Sequence, residues 1–248
     1  MTTTKVALVT GAAAGIGMAC SKRLAQEGIA VGVLDLDEAR CAGTVAAIDA
    51  GGGKAIALGA DVSDRGQVRA AVARLRDTFG PVTIVVNNAG VTDHTPFEQI
   101  TEERFHFVYK VNVLGPIIVT QETLADMKAA KWGRVVNISS SSAQTGAINM
   151  ATYSSSKGAV ITLTRTLAQE LGPHGITVNT IPPGSVMGTI MADATISKEN
   201  AELLAARLPV RRVGRPEDIA NACVFLCSEA SSYVTGQIIG VNGGRVVS

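Results

Sequence analysis

The sequence predicts an α/β fold, a doubly wound, seven-stranded parallel sheet with helices on both faces. Three observations predict it. Short apolar runs alternate with amphipathic stretches through the first half of the chain, and strand–helix–strand order brings right-handed crossovers and parallel pairing. Those runs read as buried strands, as expected of a sheet covered on both faces. The 248 residues, 46% of them hydrophobic, suffice for one α/β unit with a sizeable core.

The elements follow in order. KVALVT (5–10) reads as a buried strand and GIGMACSKRLAQEG (15–28) as a helix closed by Gly28. AVGVLD (30–35) and DEARCAGTVAAIDA (37–50) repeat the pattern, and Gly51 to Gly53 form a turn. Strands KAIALGAD (54–61) and VTIVVNNAG (82–90) flank the helix DRGQVRAAVARLRDTFG (64–80). Thr101 to Lys128 is a long helical pattern in which Gly115-Pro116 predicts a kink. RVVNIS (134–139) is the fifth strand, Tyr153 to Leu171 a helix stopped by Gly172-Pro173, and GITVNTI (175–181) the sixth strand. Val186 to Leu208 is apolar with few charges and reads as a mobile helical lid. A helix starts at Pro216, and QIIGV (237–241) is the seventh strand. Residues 1–248 read as a single unit, with neither internal repeat nor linker.

Composition excludes several roles. The net charge is +1, without the basic face that nucleic-acid binding requires. No apolar stretch reaches ~18 residues, so no membrane partner is expected. MTTTK runs straight into the first strand, which argues against a signal peptide and for a cytoplasmic protein. Cys20, Cys41, Cys223 and Cys227 form no CxxC, and His94, His106 and His174 are scattered; buried reduced thiols and no metal are the expectation.

Chemistry gathers where the strands end, since ligands of such sheets bind beyond the carboxyl ends. TGAAAGIG leaves the first strand: Gly11, Gly15 and Gly17 permit a tight turn and close approach to a pyrophosphate, while Ile16 opens a helix whose N-terminus supplies amide donors. A tight turn without a ligand is the plain alternative. Asp35 ends the second strand, where a carboxylate accepts ribose hydroxyls and repels a 2′-phosphate; Arg40, five residues on, reads as a helix-surface residue. NAD is therefore expected over NADP. Tyr153 and Lys157 lie one helical turn apart. An ammonium beside a phenol favours the phenolate, and a phenol tuned toward neutral pH exchanges a proton with an alcohol or carbonyl oxygen. The Ser140 hydroxyl, thirteen residues ahead of Tyr153, can bond that same oxygen.

Taken together, TGAAAGIG, Asp35, Asp61-Val62, NNAG (87–90), Asn112, Ser140, Tyr153-x-x-x-Lys157, Pro183-Gly184 and VNGG (241–244) resemble the short-chain dehydrogenase/reductase family in its compact single-domain, Rossmann-like form. The likeness runs from Lys5 to about Gly244. It implies that Asp61 and Val62 contact adenine, although Asp61 also suits a helix cap, for which Ser63 and Asp64 are better placed. Asn88, Ala89 and Gly90 would admit the cofactor closely, and asparagine amides would pin neighbouring strands. Asn112 would hold a relay water at a helix distortion, and Pro183, Gly184 and Val186 would flank the nicotinamide. Tyr153 and Lys157 would also hold its ribose. The chain departs from the pattern at Gly188, where many relatives carry threonine; Thr189 follows one place later, which leaves the carboxamide contact open.

The resemblance implies an NAD-dependent oxidoreductase acting on a small molecule, assembled as a homotetramer. The substrate walls would be Gln144, Ile148, Asn149, Met150, the loop Val91 to Pro96 with His94, and Val186, Met187, Ile190 and Met191. These segments carry no arginine, so a neutral, largely apolar secondary alcohol or a cyclic or aryl-alkyl ketone is expected. Arg207, Arg211 and Arg212 lie just beyond the lid and could turn inward. The rival is a 3-oxoacyl thioester reductase, with Lys128, Lys131 and Arg134 meeting an acidic carrier. A non-catalytic NAD-binding protein is the remoter alternative, for which an intact Asn112, Ser140, Tyr153, Lys157 set is needless.

Overall fold

A computed structural model describes residues 5–189 and 197–247. Its strands are β1 (Val6–Thr10), β2 (Ala30–Asp35), β3 (Ala55–Gly59), β4 (Val82–Asn87), β5 (Gly133–Ile138) and β6 (Ile176–Ile181). They lie in the order β3-β2-β1-β4-β5-β6, every pair parallel. The strand order reverses at β1 and β4, and their carboxyl ends open the crevice in which such sheets bind ligands. All residues of β1, β4, β5 and β6 are buried, which is why β1 and β4 read as near-continuous apolar runs, while β5 and β6 also bury Arg134, Asn137, Thr177, Asn179 and Thr180.

The helices are α1 (Gly15–Gln26), α2 (Glu38–Ala50), α3 (Arg65–Phe79), α4 (Glu102–Tyr109), α5 (Gly115–Ala130), α6 (Ser142–Thr145), α7 (Ala151–Leu171), α8 (Lys198–Arg207) and α9 (Pro216–Leu226). Two apolar clusters sit on opposite faces of the sheet. On one, Cys20 and Leu24 of α1 meet Ile219 and Cys223 of α9 over Val9 and Val33. On the other, Val72 and Leu75 of α3, Val119 of α5 and Leu171 of α7 cover Leu8, Val85 and Val178.

Two expectations change. The seventh segment runs parallel beside β6 and the residues after it, with backbone hydrogen bonds such as Thr180 N to Gln237 O and Ile239 N to Thr180 O. It forms only isolated bridges, Thr180 with Ile238 and Pro183 with Val241, so the described sheet has six strands. Pro182 and Pro183 have no N–H to donate, and the ladder breaks there. The long helix is not continuous α-helix up to Gly115-Pro116. It widens just before them into a π-turn, Lys110–Leu114, closed by Gly115 N–H on the Lys110 carbonyl. Proline then stands in the first turn of α5, where a missing donor costs nothing.

A polar ladder crosses the core beneath the sheet's open edge. Asn87 Nδ2 donates to Asn137 Oδ1 at 2.9 Å, and Asn137 Nδ2 donates to Thr164 Oγ1 at 2.9 Å. It ties β4, β5 and α7 together through groups that are costly to leave unpaired. Asn137→Ala is expected to cost about 1–3 kcal/mol in urea unfolding with an unchanged m-value; a loss below about 0.5 kcal/mol would contradict the ladder's role.

Candidate active site

The glycine loop after β1 is fixed from both sides. Asn88 Nδ2 donates to the carbonyls of Thr10 (2.9 Å) and Gly11 (3.0 Å), and Thr10 Oγ1 accepts from the N–H groups of Asn88 and Ala89, each at 3.0 Å. Thr44 Oγ1 reaches across from α2 to the Ala12 carbonyl at 2.9 Å. A Cβ on Gly17 would lie 2.3 Å from the Gly11 oxygen, so no other residue closes this turn. The N-cap of α1 is Ala14, which offers no side-chain cap, and the first turn holds no acid. Uncapped amides at the positive end of a helix are a ready anion site, and a dinucleotide pyrophosphate fits this donor set. Ile16 is partly buried against the core of α1 and α9.

Asp35 lies at the end of β2 with its carboxylate already engaged. It accepts from Ala13 N at 3.2 Å and Leu36 N at 2.9 Å. Arg40 is not a bystander on the helix surface: its guanidinium is 3.3 Å from Asp35 Oδ1, because residues 37–40 make the first turn of α2 and bring it back over the strand end. Asp61 shapes the turn after β3, accepting from Ser63 N at 2.8 Å and Ser63 Oγ at 2.7 Å, while Asp64 caps α3. Val62 is buried where α5 begins, 2.8 Å from where a Gly115 Cβ would be.

The expected catalytic residues converge. Ser140 follows β5, and Tyr153 and Lys157 are buried on α7. Lys157 Nζ donates to the Ile138 carbonyl at 2.9 Å and stands 5.9 Å from the Tyr153 ring centre. Burial pushes the lysine down to about 8. It pushes the phenol up, with the Ser140 hydroxyl pulling the other way. The direction for Tyr153 is therefore upward rather than the expected lowering: desolvation of the phenolate is the larger effect, and the group that opposes it is the Ser140 hydroxyl. Asn112 sits in the π-turn. Its Oδ1 accepts from Val91 N at 2.8 Å, and its Nδ2 donates to Val91 O at 2.9 Å and Ser156 Oγ at 3.0 Å. Both amide hydrogens are thus committed to protein. Between these groups lies Gly90, whose Cβ would be 3.1 Å from Asn112 Oδ1 and 3.2 Å from Lys157 Nζ.

The opposite wall begins at Pro183, whose carbonyl accepts from Ser141 N at 2.9 Å. Gly184 approaches the Asn242 backbone too closely for a side chain, at 3.0 Å from its would-be Cβ. Val186 is buried and bridged to Gly214. Thr189 lies over the glycine loop, 3.3 Å from where a Gly15 Cβ would be, and its hydroxyl donates to the Val186 carbonyl at 3.2 Å. Ile190 and Met191 fall outside the described residues, as do the others from 192 to 196; the described end of the expected lid is α8.

Of the expected substrate walls, Gln144, Ile148, Asn149 and His94 are exposed, Ile148 at 91%. Arg212 is held by Asp218 at 2.6 Å and Arg211 by the carbonyl of Ala206, so neither turns inward. Arg134 is buried and paired with Glu229, and Lys128 and Lys131 lie beside the N-terminal end of β5, across the sheet from the site. Carrier docking there is remote from the chemistry. Sequence reasoning missed Asp93, a buried carboxylate that pairs with Arg104 and accepts from Thr95 Oγ1 at 2.7 Å. It anchors the loop after β4 to α4, and Thr152 of α7 lies against it. An acid next to histidine in a short loop gave no signal of burial. Thr44 and Ser156 were missed as site residues too, and Thr10 was read as part of the glycine motif without its role in holding Asn88 and Ala89.

All four cysteines are buried free thiols. Among the described residues, no cluster of histidine, cysteine or acid could hold a metal, and no helix is long and apolar enough to cross a membrane.

Comparison with known proteins agrees with this geometry. The sequence pattern of the family described as Enoyl-(Acyl carrier protein) reductase matches residues 11–245. An uncharacterized oxidoreductase of Methylorubrum extorquens is 41% identical, over 97% of both chains. A 3-oxoacyl-[acyl-carrier-protein] reductase of Aquifex aeolicus is 36% identical over 97% of this chain and 96% of its own. A crystal structure of an Agrobacterium tumefaciens protein, provisionally named a gluconate dehydrogenase, superposes with a TM-score of 0.92 at 33% identity, covering 98% of this chain and 97% of that one. With the family pattern matched over residues 11–245 and a relative 41% identical over 97% of both chains, this chain belongs to the short-chain dehydrogenase/reductase family.

Proposed function

We propose that the protein is an NAD-dependent oxidoreductase that interconverts a neutral, largely apolar secondary alcohol and its ketone, working as one cytoplasmic cofactor-binding and catalytic unit. The observation that carries this reading is the convergence of Ser140, Tyr153 and Lys157 at the carboxyl end of β5, beside the uncapped N-terminus of α1. Hydride exchange with the substrate carbon is the chemistry the nicotinamide supplies when bound.

The chain's own residues do the rest. Residues 11–17 take the pyrophosphate, and Asp35 takes the ribose hydroxyls. Asp61, Val62, Ala89 and Gly90 border the adenosine and ribose, and Pro183, Gly184 and Val186 the nicotinamide. Ser140 orients the substrate oxygen. Tyr153, kept protonated by burial, donates its proton to that oxygen in the reductive direction. Lys157, an ammonium below about 8, favours the phenolate left behind. Asn112 holds the loop at Val91 so that Gly90 stays between it and the lysine, and supports a relay water. Of the lid expected over residues 186–208, Val186 to Thr189 and α8 are the described parts.

The 3-oxoacyl thioester reductase remains the second reading, supported by the similarity to the Aquifex aeolicus reductase. Two assays divide the possibilities. With a panel of neutral ketones, secondary alcohols and acyl thioesters, the highest kcat/KM is expected for a neutral ketone; a thioester well above every neutral ketone would overturn the substrate assignment. Tyr153→Phe should lower kcat by ~10²–10⁴ with cofactor affinity nearly unchanged, and activity within about tenfold of the parent would remove the phenol from the mechanism.

For the cofactor, Asp35 and Arg40 act in opposition. Asp35→Ser, with arginine placed at the exposed Leu36, should move the NADP-to-NAD ratio of kcat/KM upward by more than ~10-fold, a difference of about 1.4 kcal/mol. Arg40→Ala should move it the other way. Equal use of both cofactors by the unmodified chain would defeat the charge argument.

The α4–π-turn–α5 surface supports the homotetramer. Phe105, Phe107 and Leu114 are exposed there, Phe107 at 57%, around a groove of about 420 Å3 lined by His106, Tyr109, Lys110, Val113, Leu114 and Ile117. The outward face of α7 is polar instead, with Ser155, Thr162, Arg165 and Thr166 exposed, so the exposed apolar side chains of this surface belong to α4, the π-turn and α5. Light scattering at micromolar concentration should give four times the chain mass, and a monomeric mass would refute the assembly.

A further inference from the structure

Ser140 sits in a run of four serines, and the structure separates their roles. Ser139 faces the sheet, its hydroxyl 2.9 Å from Thr180 Oγ1. Ser141 donates its N–H to Pro183. Ser142 is different: it is buried, its N–H donates to Ser140 Oγ at 3.2 Å, and its hydroxyl lies 2.9 Å from that same oxygen. A serine hydroxyl has one proton and two acceptor sites. When the Ser142 O–H is the donor of this pair, it and the Ser142 N–H fill the acceptor side of Ser140, and the Ser140 proton is left for an oxygen on its far side.

We propose that Ser142 is a positioning residue for the acid/base step, aiming the single proton of Ser140 at Tyr153 and at the substrate oxygen. The two hydroxyls can exchange donor and acceptor without moving a heavy atom. Beside a neutral phenol either order serves. Beside a phenolate or a charged substrate oxygen, the order Ser142 to Ser140 to oxygen prevails, because a hydrogen bond to an anion is the stronger one and each bond in the chain polarises the next. No proton leaves either serine. The pair reorients and stabilises negative charge at the tyrosine. The Ser140 hydroxyl already opposes the effect of burial on that phenol.

The charged groups around Tyr153 are few enough for the effect to be read. Lys157 lies on the same helix, and the Asp93–Arg104 pair borders the preceding residue, Thr152. His94, on the loop with Asp93, is exposed.

This inference rests on the reading of Tyr153 as the proton donor, and its test has a readout independent of turnover. The phenolate ultraviolet absorbance of the cofactor-free protein is titrated, and the same trace from Tyr153→Phe is subtracted to remove Tyr109 and Tyr233. Ser142→Ala and Ser142→Gly should each move the Tyr153 titration upward by about half a pH unit, and Ser142→Thr, which keeps the hydroxyl, should leave it with the parent. Alcohol oxidation at neutral pH should fall about threefold in the first two variants with KM for the cofactor unchanged. An unmoved titration in Ser142→Ala, or an equal shift in Ser142→Thr, overturns the proposal. Full activity in Tyr153→Phe would instead overturn the underlying reaction, leaving the titration result to stand for Ser142 alone.

Discussion

Lys157 holds a positive charge where little water reaches it. The residue is 5% exposed, and its ammonium donates to the Ile138 carbonyl at 2.9 Å. Burying a cation is expensive unless acceptors wait for it, and the depression of the lysine to about 8 measures how incompletely they do. Much of the site can be understood as the provision of that environment. β5 ends where its last carbonyl faces α7. Asn112 leaves α4 through a π-turn and binds Val91, keeping the loop after β4 close. Gly90, between the two, has no side chain to press on either. A regular helix from α4 to α5 would advance Asn112 differently, and π-turns recur where a helix must deliver a side chain out of phase.

The same desolvation acts on Tyr153 with the opposite sign. The phenol is held protonated, suited to giving a proton to a ketone and reluctant to take one from an alcohol. A bound ligand changes the solvation of this pair, and so the direction in which the free site is poised need not limit the reverse reaction. The serines after β5 matter for this reason. The Ser140 hydroxyl is the neighbour that opposes the effect of burial on this phenol, since a hydrogen bond to an anion stabilises it over short range.

Much of the fold was legible because apolar strands and amphipathic helices have different periods, and because glycines and prolines mark the turns. The seventh strand was legible as a segment but not as a ladder, since pairing depends on donors that Pro182 and Pro183 lack. The site residues were legible where their identity is chemically unusual: a tyrosine and lysine one turn apart, or three glycines after a strand. Arg40 and Asp93 show the limit. Each is an ordinary charged residue in sequence. Arg40 becomes a partner of Asp35 only through the first turn of α2, and Asp93 is buried only because Arg104 arrives from α4. Likewise, the serine run announces a catalytic hydroxyl without saying which neighbour faces it.

Charge is managed differently at the two edges of the sheet. At the N-terminal edge, Lys5 and Arg134 lie over Trp132, at 3.9 and 4.3 Å from the ring centre, and both reach Glu229. There each cation has an aromatic face and a share of one carboxylate, an arrangement that satisfies the cations, although the Trp132 indole N–H makes no well-formed hydrogen bond among the described residues. At the carboxyl edge the donors are left short of partners. α1 begins without a cap, Lys157 has a carbonyl where a carboxylate could stand, and the hydroxyl of Thr152 makes no well-formed hydrogen bond among the described residues. One edge therefore spends its polar groups on holding the fold together. The other keeps them under-satisfied, a standing cost in stability that a bound anion and a substrate oxygen would offset.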